Sequence, residues 1–140
     1  MVQQAAIAAG DAIKEVERRW NAAASTWDVD GLAAIYTDDA LMYGGRTTHS
    51  VGNDGVRAYF ASYVGMLAAA KVTLVSQEIR QLGPGTILAQ GYGAFDLTLA
   101  DGRRSQTTLR TTWVLVNQSG TWKILQHHFS AIPEAPPIPR

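Results

Sequence analysis

The sequence predicts an α+β fold, in which a curved antiparallel sheet of four long strands plus short extra strands wraps around three N-terminal helices and forms a conical pocket. Apolar residues recur at helical spacing up to about residue 70, and β-type runs joined by turn motifs follow them. Tryptophans and tyrosines lie on the helical segments. A sheet that covers them has to curl, and the mouth of such a curled sheet is a common ligand site.

The first helix is predicted from Asp11 by one apolar stripe at spacings of three and four, formed by Ile13, Val16, Trp20, Ala23, Ala24 and Trp27. A short second helix over residues 28–36 is capped by Asp28 or Asp30. A short first strand over residues 40–43 ends at Gly44-Gly45. Asn53 is expected to cap a third helix, whose aromatic stripe contains Val56, Tyr59, Phe60 and Tyr63.

Four strands follow, over residues 72–82, 87–99, 107–116 and 121–132. The turn motifs Gly83-Pro84-Gly85, Asp101-Gly102 and Ser119-Gly120 separate them. Gly91 and Gly93 lie inside the second of these strands and indicate a bend or bulge there, not a phosphate loop. We expect residues 1–133 to form one domain and the proline-rich residues 134–140 to form an extended tail.

Composition excludes several function classes. Twelve basic and twelve acidic residues cancel and form no basic cluster, so neither nucleic acid nor a membrane surface is an expected partner. The chain has no cysteine, which rules out disulfides and sulfur-ligated zinc. We expect a cytoplasmic protein, because the N-terminus lacks the pattern of a secretory signal and no apolar run is long enough to span a bilayer.

His127 and His128 are neighbours on the last predicted strand and therefore point to opposite faces of the sheet. A longer loop at Ser119-Gly120 would place Trp113, Leu125, His127 and Phe129 on one face, and Arg110, Thr112, Trp122, Gln126, His128 and Ser130 on the other. A strict two-residue turn would instead group Arg110 with His127. We favour the first alignment, because Leu109, Trp113 and Leu115 are suited to the interior.

Four motifs in order carry a resemblance to a known family. They are Trp20 and Trp27 at the end of the first helix, Tyr36-Thr37-Asp38-Asp39-Ala40, the helix motif Gly55-Val56-Arg57-Ala58-Tyr59-Phe60, and the closing Gly120-Thr121-Trp122-Lys123-Ile124 with His127, His128, Ser130 and Pro133. With these motifs the chain resembles the SnoaL-like branch of the nuclear-transport-factor-two-like superfamily, which has the cystatin-like α+β roll, and within that branch the enediyne-cluster-associated subfamily.

The resemblance implies a cofactor-independent isomerase, cyclase or dehydratase that acts by proton transfer on a small, apolar, polyketide-like substrate with a carbonyl or hydroxyl group. It also allows a non-catalytic module for ligand binding or oligomerisation. The steroid-isomerase mechanism does not carry over, because its tyrosine and its general-base aspartate would fall at Trp20 and near Gly44. The sequence contains no nicotinamide or flavin fingerprint, and we expect no cofactor.

The candidate catalytic residues are His127 as the acid–base group, Asp39 and Tyr59. The candidate ligand-binding residues are Trp20, Tyr36, Tyr43, Tyr63, Trp113 and Phe129. Each has a structural alternative: a packed histidine, a turn-forming aspartate, or an aromatic stripe of the core. A three-histidine metal site with His49 is disfavoured by the adjacency of the other two histidines. Arg110, Gln126 and His128 are expected on a homodimer contact through the outer sheet face.

Overall fold

The computed structural model describes residues 2–135 and 137–138, and for residues 2–7 the backbone alone. Within them, three helices and six strands follow in the order α1 (Val2–Ala24), α2 (Val29–Ala33), β1 (Tyr36–Tyr43), β2 (Ser50–Val51), α3 (Gly52–Ala61), β3 (Leu67–Gly83), β4 (Thr86–Leu99), β5 (Arg104–Gln118) and β6 (Thr121–Ala131). The predicted tail reaches beyond these residues, because positions 136, 139 and 140 lie outside the described part.

The strands form one curved, unclosed sheet in the order β2-β1-β6-β5-β4-β3. The α+β class is confirmed, but the prediction of a purely antiparallel sheet is wrong. β1 runs parallel to its neighbour β6, with Met42 opposite His127, and the other strand pairs are antiparallel. The sequence did not indicate this pairing, because β1 and β6 are separated by α3 and four strands, and a pairing between distant strands has no local signal.

Helix α1 begins earlier than the predicted Asp11 and buries one apolar stripe against the inner face of the sheet. Its buried residues are Ala9, Ala12, Ile13, Val16, Trp20 and Ala24, at the spacing of one helical face. The side-chain amide of Asn21 fastens the helix to β3, since it donates to the Val72 carbonyl and its oxygen accepts from the Val72 N–H, both at 2.8 Å.

Asp28 caps α2 as predicted, because its carboxylate accepts from the Gly31 N–H at 3.0 Å. The predicted extent of α2 is wrong, since Tyr36 begins β1. Asn53 does not cap α3 either. Val51 occupies the cap position, and the Asn53 amide instead donates to the carbonyls of Ala33 and Tyr36. Asn53 therefore ties the end of α2 and the start of β1 to α3.

The turn between β5 and β6 is the strict two-residue type, with positive φ at Ser119 and Gly120, yet Trp113 pairs with His127. The reason is a register shift next to Val114: Val114 pairs with Gln126 and Leu115 with Ile124, which leaves Leu125 as an extra residue. Because of this bulge, the β6 residues that precede Leu125 face the opposite side of the sheet from the one that the favoured alignment predicted. The predicted inward Leu125 and outward Trp122 are therefore wrong, because Ile124 is buried and Trp122 packs against the core.

A second register shift lies in β3 opposite Gly91. Val75 pairs with Tyr92 and Glu78 with Gln90, so that Ser76 and Gln77 oppose one glycine. Ser76 has a φ of +52°. The bend expected at Gly91 is thus a bulge of the facing strand, and it increases the local twist of the sheet.

Candidate functional site

An apolar cavity of about 170 Å³ lies between the helices and the inner face of the sheet. Its lining residues are Trp20, Trp27, Gly45, Tyr59, Phe60, Tyr63, Leu67, Ala70, Phe95, Leu97, Thr107, Leu109, His127 and Phe129. Gly45 and Thr107 are exposed, whereas Trp20, Phe60, Phe95, His127 and Phe129 are buried. The cavity thus runs from a mouth at the exposed residues to a floor at the buried ones.

Three side chains form a buried hydrogen-bond chain at the floor of the cavity. The Trp20 indole N–H donates to the Tyr36 hydroxyl oxygen at 3.2 Å, and that oxygen lies 2.8 Å from Nδ1 of His127. An indole has no acceptor, so Tyr36 has to accept from Trp20 and its own proton is available for Nδ1. A neutral His127 then carries its proton on Nε2.

His127 is neutral over the physiological pH range. Burial lowers the pKa of His127 to about 3, and the charge of neighbouring His128 adds to the effect. Burial also raises the pKa of Tyr36, so its hydroxyl stays protonated and can donate. The other ring nitrogen, Nε2, has no hydrogen-bond partner among the side chains and backbone that the structure describes. The floor of the cavity therefore offers one neutral N–H donor in an apolar surrounding.

The mouth is closed on one side by the segment that follows β1. The Gly45 N–H donates to the Tyr59 hydroxyl at 2.8 Å, and the Arg46 guanidinium lies 4.2 Å from the centre of the Tyr63 ring. Arg46 also donates to the Ser62 carbonyl at 3.0 Å. A Cβ at Gly45 would lie 2.7 Å from the Tyr63 hydroxyl, so a side chain at this position would press on that ring.

Five of the nine predicted site residues line the cavity: Trp20, Tyr59, Tyr63, His127 and Phe129. Tyr36 and Trp113 are buried behind the lining, where Tyr36 bonds to His127 and Trp113 stacks on Phe129 at 6.0 Å. Asp39 is exposed and accepts from the Thr37 hydroxyl at 2.9 Å. Tyr43 lies on the outer face, 42% exposed and stacked on His49 at 4.5 Å. The structure therefore does not bring Asp39 or Tyr43 to the cavity.

Sequence reasoning missed several lining residues. Phe60 and Trp27 belonged to recognised stripes but had been assigned to the core alone. Phe95 follows Gly93 on the inward-facing positions of β4, and this alternation could have identified it. Leu97 and Leu109 also line the cavity. Leu109 is one of the residues that the favoured alignment places in the interior, whereas Leu97 has no distinguishing signal in the sequence.

The outer face of the sheet carries Arg110 and His128, both exposed, beside half-buried Gln126. A groove on this face is lined by Ser76, Glu78, Gln90, Gly91, Tyr92, Arg110, Thr111, Thr112, His128 and Ser130. Leu41, Tyr43 and Tyr92 add exposed apolar surface, each more than 40% exposed. The outer face is thus a mixed polar and aromatic surface, distinct from the inner cavity.

Within the described residues, no group of three or more His, Asp or Glu side chains could hold a metal ion. In the same part of the chain, no helix has both the length and the apolar character that a membrane crossing requires. Among the cavity-lining residues described, none is a carboxylate.

Comparison with known proteins agrees with this architecture. The profile of the SnoaL-like domain family matches residues 13–134. No curated protein matches the sequence. A candidate calcium/calmodulin-dependent protein kinase II association domain from Xanthomonas campestris is similar in structure, with 26% identity, a TM-score of 0.75 and coverage of 83% of this chain and 82% of that one.

Two further solved structures share the fold. A candidate scytalone dehydratase from Novosphingobium aromaticivorans has 13% identity and a TM-score of 0.79, covering 100% of this chain and 99% of that one. An uncharacterised protein with a cystatin-like fold from Caulobacter vibrioides has 22% identity and a TM-score of 0.71, covering 90% and 91%. At these identities the likeness shows the cystatin-like fold alone.

Proposed function

The chain belongs to the SnoaL-like domain family, and from this premise we propose that it binds a small, largely apolar molecule with a carbonyl or hydroxyl oxygen in the inner cavity. The observation that carries the proposal is the bond between the Tyr36 hydroxyl and Nδ1 of His127. It reserves Nε2–H of His127 as a donor for the ligand oxygen. Motif likeness to the enediyne-cluster-associated subfamily supports a polyketide-like ligand.

The lining supports a ligand that is uncharged. Its side chains are mainly aromatic and aliphatic, and the deepest polar group is the neutral imidazole of His127. A charge placed beside that imidazole would lose its hydration without gaining a counter-charge. A neutral oxygen loses much less and gains one hydrogen bond.

The same geometry supports the first step of a cofactor-independent reaction, in which a ligand carbonyl is polarised and the adjacent carbon loses a proton. A hydrogen bond from Nε2–H of His127 to a ligand carbonyl draws electron density to the oxygen and makes the adjacent carbon–hydrogen bonds more acidic. When such a bond breaks, its electron pair forms the enolate held by His127, and its proton passes to a water molecule in contact with that carbon. In this proposal His127 polarises the oxygen, whereas the sequence suggested that it would shuttle the proton.

Binding is tested by isothermal titration with phenol and with benzene as the matched hydrocarbon. We expect phenol to bind about tenfold more tightly, as one hydrogen bond in a dry site allows. His127→Phe should remove that preference, and His128→Phe should retain it. Equal binding of both probes, or a preference that survives His127→Phe, would contradict the proposal. The tryptophan indole resonances, followed by NMR in the wild-type protein, provide a second measurement if the variant does not fold.

The catalytic form is tested with acetophenone in deuterated water. If His127 polarises the carbonyl, we expect the wild-type protein to exchange deuterium into the methyl group faster than buffer does. We expect His127→Phe to lose this acceleration. Binding of acetophenone without exchange would leave the protein a ligand-binding module of the same fold.

We also propose that the outer sheet face forms a homodimer contact through Arg110, Gln126 and His128. The exposed apolar side chains of Leu41, Tyr43 and Tyr92 beside these polar groups support it. Sedimentation should give a dimer for the wild type and a monomer for a Tyr92→Glu, Arg110→Glu double variant. A wild-type monomer at high concentration would remove this part of the proposal.

A further inference from the structure

We infer that the ligand of the inner cavity is a single aromatic ring bearing one hydroxyl or carbonyl oxygen, and that a second ring fused next to that oxygen is excluded. This inference rests on the proposed function, because it concerns the same cavity and the same donor. It narrows the ligand from a polyketide-like class to one ring with its oxygen at the floor and its substituents at the mouth.

The volume of the cavity sets the size of the ligand. An apolar protein cavity of about 150 Å³ takes up one benzene molecule, and pockets for drug-sized ligands begin at about 300 Å³. The inner cavity, at about 170 Å³, lies just above the first value and well below the second. It has room for one ring and an oxygen atom.

The walls of the cavity are held in place, so this volume is not easily enlarged. Trp20 meets Phe60 and Phe95 edge to face, at centroid distances of 6.4 and 6.2 Å. The indole N–H of Trp27 donates to the Phe60 carbonyl at 3.0 Å, and that of Trp20 donates to Tyr36. Widening the cavity would break these hydrogen bonds, whereas a flat ring placed among the existing rings continues their edge-to-face packing.

The position of the donor sets the orientation of the ring. His127 is 2% exposed and lies on Phe129 with 3.7 Å between ring centroids, whereas Gly45 and Thr107 are exposed at the other end. A ring oxygen that reaches Nε2 therefore points inward, and the opposite ring position points to the mouth. Substituents opposite the oxygen can extend outward, whereas substituents next to it meet the buried lining.

The ring-size inference is tested by titrating phenol and 1-naphthol into the wild-type protein, because the second ring of 1-naphthol is fused next to the carbon that bears the oxygen. A second fused ring adds apolar surface and would by itself favour 1-naphthol. We expect the reverse, with phenol bound at least about tenfold more tightly, because a ring fused next to the oxygen has to displace the packed lining. 4-Methylphenol should bind about as well as phenol, and 2-methylphenol should bind more weakly.

The two possible failures are distinguishable. If 1-naphthol binds as tightly as phenol and both are lost in His127→Phe, the ring-size inference is overturned and the proposed function stands. If neither binds, or if binding does not depend on His127, the proposed function fails as well.

A cavity-enlarging variant provides an independent test. Leu97→Ala removes a lining side chain, and Leu82→Ala is the matched control, since Leu82 is 59% exposed and lies outside the lining. We expect Leu97→Ala to raise the affinity for 1-naphthol by about tenfold relative to phenol, and Leu82→Ala to leave the ratio unchanged. Thermal melting shows whether each variant is folded, and an unchanged ratio in folded Leu97→Ala would contradict the inference.

Discussion

The hydroxyl oxygen of Tyr36 lies 2.8 Å from Nδ1 of His127, although the two residues are 91 positions apart in the chain. The contact exists because β1 and β6 are parallel neighbours in the sheet. Both groups are buried, and Trp20 completes the chain from the helix layer. One hydrogen-bond chain therefore joins helix and sheet and also determines which nitrogen of His127 carries the proton.

Burial of a neutral His127 makes stability depend on pH. Its pKa falls from the ordinary value of 6.5 to about 3 in the folded protein, so between these values the unfolded state binds the proton and the folded state does not. The free energy of unfolding is therefore highest above pH 6.5 and decreases as the pH falls, by up to about 1.4 kcal/mol per pH unit. Urea unfolding at several pH values between 7 and 5 measures this slope.

The adjacent histidine provides the matched control. His127→Gln should flatten the slope between pH 6.5 and 5, whereas His128→Gln should leave it as in the wild type, because His128 is exposed. Equal slopes for the wild type and His127→Gln would show that His127 is not buried in its neutral form.

Removal of the Tyr36 hydroxyl should lower the free energy of unfolding, and it should allow His127 to populate both neutral tautomers. In Tyr36→Phe, the indole N–H of Trp20 and Nδ1 of His127 both lose their buried partner. We expect a loss of about 1–3 kcal/mol in the free energy of unfolding. Nitrogen NMR should show the proton of neutral His127 on Nε2 in the wild type. In the variant it should show a mixture of the two neutral tautomers, with the proton on Nδ1 or on Nε2. Tyr92→Phe, on the exposed outer face, should change neither. A wild-type protein with the proton on Nδ1 would refute the assignment.

The inward facing of His127 could be predicted from its sequence neighbours, but the reason for it could not. Alternating apolar residues on β5 and β6 required Trp113 and Phe129 to share a buried face. The two-residue turn at Ser119 would have reversed that alignment, and the bulge at Leu125 restores it. A bulge adds one residue without any composition signal, so residues beyond it, such as Trp122, were assigned to the wrong face.

The sequence predicted the site residues whose burial follows from an apolar stripe on a helix. It did not predict those whose burial follows from the pairing of distant strands. Trp20 and Tyr59 belong to helical stripes whose buried side is fixed by periodicity. Tyr36 and Tyr43 lie at the two ends of β1, and only the pairing of β1 with β6 determines that Tyr36 is buried and Tyr43 exposed. That pairing joins distant parts of the chain and has no local sequence signal.

Asn53 should stabilise the junction that places Tyr36. Its amide donates to the carbonyls of Ala33 and Tyr36 at 2.9 and 3.1 Å. Asn53→Ala leaves both carbonyls without this donor, and we expect a loss of about 1–3 kcal/mol in the free energy of unfolding. Asp54→Glu, at the neighbouring exposed position, keeps the acidic group in the first turn of α3; it is the control and should cost less than about 0.5 kcal/mol. Chemical denaturation compares the two, and equal losses would show that Asn53 has no special role.

Gly91 should be required by the bulge in β3. A Cβ at this position would lie 2.5 Å from the backbone oxygen of Ser76, and that oxygen cannot move without changing the bulge. Gly91→Ala should therefore destabilise the protein by about 1–3 kcal/mol, as overpacking against backbone does. Gly83→Ala is the matched control in the same hairpin, because a Cβ there meets nothing within 4 Å. Thermal unfolding of both variants measures the difference. A Gly91→Ala variant as stable as Gly83→Ala would show that the bulge in β3 can shift with little loss of stability. The curvature of the sheet would then need another cause.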